Sequence, residues 1–108
     1  MSFTDPFPGL CKPLNKADLI RALRLDLAAE EDAVSLYTAH ADATSDPLAR
    51  AVLTSIADEE RVHAGEFIRL LQLLSGDENR FQLRGYEEVD KIVEAMSPSE
   101  LREIAGRL

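Results

Sequence analysis

The residues best placed to do chemistry are Glu60 and His63, in the run Asp58-Glu59-Glu60-Arg61-Val62-His63-Ala64-Gly65-Glu66-Phe67. Residues three apart on a helix share a face, so this Glu-x-x-His pair can present a carboxylate oxygen and an imidazole nitrogen to one metal ion. In so acidic a chain the pair arises readily by chance, and it carries weight only with a third ligand. Glu30 is the candidate for that ligand. Leu23, Leu27, Val34 and Tyr37 recur around it at helical spacing, which puts Glu30 inside an apolar stripe. Glu60 sits likewise among Leu53, Ile56, Ala57, Ala64 and Phe67, and His63 among Ile56, Phe67 and Leu70. A carboxylate buried among such residues is costly unless it is paired, protonated or bound to metal.

The elements that must position these three side chains are two long helices. Asn15 followed by Asp18 reads as an N-cap with an acidic first turn, and a 3.6-residue apolar stripe runs from Leu19 to about Ala43. Thr44-Ser45-Asp46-Pro47 breaks it, with Asp46 as the next N-cap and Pro47 at the first helical position. The second helix runs from Pro47 to about Leu74, where Gly76 supplies the stop. Two long helices joined by so short a turn form an antiparallel hairpin. If it pivots near Ser45, Glu30 and Glu60 stand at the same height, because each lies fifteen residues from the pivot. Two carboxylates that close cannot both ionise without a cation or a shared proton. One helix then gives a Glu and the other a Glu-x-x-His, half of the ligand set of di-iron carboxylate bundles. A two-fold dimer of hairpins would complete a four-helix bundle with four Glu and two His. The fold class expected is therefore all-α, a two-helix hairpin plus short C-terminal helices, with the bundle completed by dimerisation.

The rest of the chain is organised around that hairpin. Residues 1–15 hold Pro6, Pro8 and Pro13 and read as an extended arm; residues 16–96 read as the helical domain, and 97–108 as a short C-terminal helix or tail. Asp77 to Arg84 is expected to be a polar loop, followed by a helix from about Tyr86 to Met96 and a last one opened by the capping box Ser97-Pro98-Ser99-Glu100. A chain of 108 residues is one small domain with a thin core unless it associates with copies of itself. Its net charge of −8 argues against nucleic acid or an anionic membrane as partner and suits cations. No basic leader and no membrane-length apolar run is evident, and the single Cys11 offers no intrachain disulfide, so a reducing cytoplasmic compartment is expected.

The runs Ala29-Glu30-Glu31-Asp32-Ala33-Val34-Ser35-Leu36-Tyr37 and Asp58 to Phe67, the Ser45-Asp46 turn and Gly85-Tyr86-Glu87-Glu88-Val89 resemble the encapsulated ferritins, short two-helix members of the ferritin-like superfamily. The resemblance covers about residues 16 to 90. It implies a ferroxidase that oxidises Fe(II) to Fe(III) with O2 at a di-iron centre formed between two subunits. It also implies dimers arranged in a ring-shaped homo-oligomer, a decamer, and residence inside an encapsulin nanocompartment for iron storage or detoxification. By motif position Glu30, Glu60 and His63 match the family's iron ligands, and Tyr37 matches a tyrosine beside the centre. Asp32 matches an acid that in some members helps bind cations near the site entrance, whereas Ala29 stands where some members have a second acid. Hard oxygen ligands with one imidazole per half-site suit iron better than a closed zinc site.

Blander readings stand beside these. The two Glu could pair with cations of another chain, His63 could be a hydrogen-bonded core histidine, and Tyr37 could be core packing. Asp32, Glu31 and Glu59 could be a solvated acidic face, and His40 reads as surface. Two other functions also fit: a di-metal peroxidase of the rubrerythrin kind, although no four-cysteine module is present, and a non-enzymatic helical assembly module.

Overall fold

The computed structural model describes residues 13–107 and places them in four α-helices with no strand among them: α1 (Lys16–Ala43), α2 (Pro47–Leu74), α3 (Glu78–Glu94) and α4 (Pro98–Ala105). Most of the expected N-terminal arm, with Cys11, lies outside the described residues. None of the described helices is long and apolar enough to cross a membrane.

The caps form as the residue types dictate. The side chain of Asn15 accepts from the Asp18 amide at 2.8 Å and starts α1. Asp46 accepts from the amides of Leu48 and Ala49 at 2.9 and 3.4 Å, with Pro47 just inside α2. Between them only Thr44, Ser45 and Asp46 are non-helical, so α1 and α2 turn back on each other as an antiparallel hairpin. Both helices are 28 residues long, hence about 42 Å each.

The described chain falls into two compact units, one ending at Ser75 and the other beginning at Gly76. In the first, the buried residues are Leu23 and Ala41 on α1 and Ala57, Ala64 and Leu71 on α2, a thin core with no buried polar side chain. The apolar side chains of Leu25, Leu36, Val52 and Leu70 stay 40–51% exposed. On helices of 3.6 residues per turn these four fall on the same flank of the hairpin as His63, while Arg24, Glu31, Thr54 and Arg61 fall on the other.

The second unit corrects one expectation. Asp77 to Arg84 is not a loop: α3 already begins at Glu78 and ends at Glu94, short of Met96. The segment is polar, but Glu, Arg, Gln and Leu are good helix formers and no proline interrupts them. Glu78 places a negative charge in the first turn, and the Arg80 guanidinium stacks 4.8 Å from the centre of the Phe81 ring. Gly85 is carried within the helix. The last helix forms as expected, with Ser97 Oγ accepting from the Glu100 amide at 3.3 Å and Glu100 Oε1 from the Ser97 amide at 3.0 Å. Hydrogen bonding of the Glu100 carboxyl by the Ser97 side chain, and after it by the Ser97 backbone amide, holds that carboxyl below its ordinary value of 4.5.

Candidate metal centre

Three side chains converge midway along the hairpin. Glu60 and His63 are one turn apart on α2, and His63 Nδ1 lies 3.4 Å from Glu60 Oε2. Glu30, from α1, brings its Oε2 to 3.8 Å from the same nitrogen. One ligand atom from each residue lies within 4.8 Å of the other two, and among the described residues no other group of His, Cys, Asp and Glu does so. Ligand atoms about 2.1 Å from an ion are at most about 4.2 Å apart, so small side-chain rotations would close the trio on one cation. The donor set of two carboxylates and an imidazole fits iron, whose higher oxidation state the carboxylates favour.

Burial differs among the three. The side chains of Glu30 and Glu60 are 21% and 20% exposed, in the groove between the helices. The expected placement of His63 on a buried apolar face is corrected, for its side chain is 46% exposed. By helical spacing His63 falls on the flank of the hairpin that carries Leu25, Leu36, Val52 and Leu70. Two oxygens and one nitrogen fill only part of an iron coordination sphere.

Tyr37 is half-buried two turns beyond Glu30 on the same face of α1. Asp32 is exposed and does not belong to the trio, since two residues along a helix turn it away from Glu30. His40 is exposed in the last turn of α1. Sequence reasoning missed Arg50, whose guanidinium reaches back from the first turn of α2 to the end of α1. The signal was a basic residue just after the turn, where the carbonyls of the preceding helix lack partners.

Comparison with known proteins places the chain in a family. The family model for rubrerythrin matches residues 21–96, a span that contains the whole trio. The chain belongs to the rubrerythrin family. This ferritin-like domain is 40% identical over 79 residues to the encapsulin nanocompartment cargo protein EncC of Myxococcus xanthus, a match covering 72% of this chain and 61% of that protein. It is 38% identical over 81 residues to a ferritin-like–encapsulin shell fusion protein of Pyrococcus furiosus, covering 75% of this chain and 24% of the fusion. The chain thus spans less than two thirds of the length of these curated relatives. Among solved structures, the encapsulated ferritin domain from Pyrococcus furiosus superposes with a TM-score of 0.77 at 34% identity, over 88% of this chain and 100% of that one. The ferritin-like fold and the resemblance to encapsulated ferritins follow from these matches.

Proposed function

We propose that two copies of this chain join through the open flank of the hairpin and oxidise Fe(II) with O2 at a di-iron centre that neither copy completes alone. The observation that carries the proposal is the convergence of Glu30, Glu60 and His63 within 4.8 Å on a half-open face. A two-fold partner would supply the same three side chains from the other side and cover Leu25, Leu36, Val52 and Leu70 in the same step. The outcome is a four-helix bundle with four Glu and two His, the ligand set of di-iron carboxylate proteins.

Fe(II) is the substrate. Two ions give up one electron each, and O2 takes two electrons and two protons to become hydrogen peroxide. Glu60, which shares a helix face with His63, is assigned the bridging carboxylate, and Glu30 the terminal or second bridging one. Tyr37 is assigned a place beside the centre, where its hydroxyl can hydrogen-bond a ligand or the oxidant, and Asp32 a place on the cation approach. In the assembly, dimers close into a ring, and the decamer implied by family resemblance is the form we assign. The cargo names of the Myxococcus relative and the shell fusion of the Pyrococcus relative support residence in an encapsulin nanocompartment.

The match to rubrerythrin supports a second reading, in which hydrogen peroxide is the oxidant and is reduced to water by the same two electrons. Anaerobic loading with Fe(II), followed by O2 or by peroxide, separates the two. A ferric absorbance rise with O2, lost in Glu60→Ala and His63→Ala, supports the ferroxidase. Turnover with peroxide alone supports the second reading, and no change with either oxidant leaves an assembly module.

A further inference from the structure

Resting on the assignment of Glu30, Glu60 and His63 as one ligand set, we infer that Arg50 is a positioning residue. Its guanidinium pins the register of the hairpin, and so the height at which Glu30 meets Glu60 and His63. Arg50 stands in the first turn of α2. Its Nε donates to the carbonyl of Ala41 at 3.2 Å and its Nη2 to the carbonyl of Thr44 at 2.6 Å. Both carbonyls belong to the C-terminal end of α1, where the last turn has no intrahelical donors and the helix dipole favours a cation. The planar fork of an arginine has fixed donor directions. It satisfies two carbonyls three residues apart at one offset of the helices, and a slip of one residue, about 1.5 Å along the axis, breaks the pair.

The hairpin has need of such a pin. Three of its five buried residues are Ala41, Ala57 and Ala64, and two of these, Ala57 and Ala64, bracket Glu60 by one turn on either side. Small side chains let the helices approach closely but form shallow ridges that resist sliding poorly. The trio tolerates little sliding, because side-chain rotations must already draw ligand atoms lying within 4.8 Å of one another to the roughly 4.2 Å one ion allows.

The test compares two changes at the same turn. Asp46→Ala removes the cap of α2 and leaves the fork; Arg50→Ala removes the fork and leaves the cap. Spin labels at Ser35→Cys and Thr54→Cys, both exposed positions, in a Cys11→Ser background diluted with unlabelled protein, report the α1–α2 distance without metal. Co(II), stable in air, reports affinity at the trio. Arg50→Ala is expected to broaden the label distances and weaken Co(II) binding about tenfold, Arg50→Lys to recover part of both, and Asp46→Ala to lower the melting temperature with distances and affinity unchanged. Wild-type distances and affinity in Arg50→Ala, or equal changes in Asp46→Ala, overturn the role. A wild-type protein that binds no Co(II) sinks the ligand assignment instead, and the label distances still decide on Arg50.

Discussion

At the scale of single residues, the proposed centre depends on three side chains whose candidate ligand atoms lie close but not yet at coordination distance. Changes to residues that merely orient metal ligands cost 10- to 100-fold, so losing a ligand itself costs about 100-fold or more in affinity or rate. Glu60→Ala and His63→Ala are therefore expected to lose the ferric absorbance rise while keeping wild-type far-ultraviolet circular dichroism, since both positions are partly exposed. Retained oxidation in either variant would contradict the assignment. Tyr37→Phe is expected to keep the metal stoichiometry and alter only the oxidation rate, which rapid-mixing absorbance measures. Glu30 was legible in the sequence because helical spacing and distance from the turn are both integers that can be counted. The exposure of His63 was not, because a helical stripe shows which face is apolar and not how much of it a single partner helix covers.

At the scale of elements, α1 and α2 were legible because each begins at a side-chain cap, the second followed at once by a proline. The start of α3 was not, since Asp77 gives no side-chain cap hydrogen bond and its polar first turns carry no apolar period. Gly85 sits inside that helix with nothing within 4 Å of where a Cβ would stand. Gly85→Ala is thus expected to stabilise α3 by about 0.5–1 kcal/mol, read from thermal or urea unfolding, and a destabilised variant would contradict it. The cap of α4 has a pH signature. Its carboxylate, Glu100, titrates lower when folded than unfolded, held there by the hydrogen bonds from Ser97. The contribution is present above the unfolded value near 4.5 and is lost as pH falls through the lower folded one. Protection of the α4 amides, taken relative to their intrinsic exchange rates, is expected to fall over that acid range, and Ser97→Ala to lower it already at neutral pH. An α4 unaffected by either change would contradict the role of the box.

For the whole molecule, the open flank decides the matter. Leu25, Leu36, Val52 and Leu70 leave apolar surface exposed, and the proposed symmetric contact would cover it while completing the proposed ligand set. Leu36→Asp or Leu70→Asp is expected to shift the protein towards single chains in sedimentation, by setting a charge in the contact, while leaving the α1–α2 hairpin helical. A partner is suggested in the sequence by one Glu and one Glu-x-x-His per chain, half of a known set, whereas the surface proposed for the contact can be named only once the core of the described residues is seen to hold five side chains. The most direct measurement is anaerobic sedimentation across a range of protein concentrations, with bound Fe(II) quantified in each species. Iron is predicted at about one ion per chain in dimers and larger forms and absent from the single chain; a single chain that binds iron as tightly as the dimer, or a dimer that binds none, would contradict a shared centre.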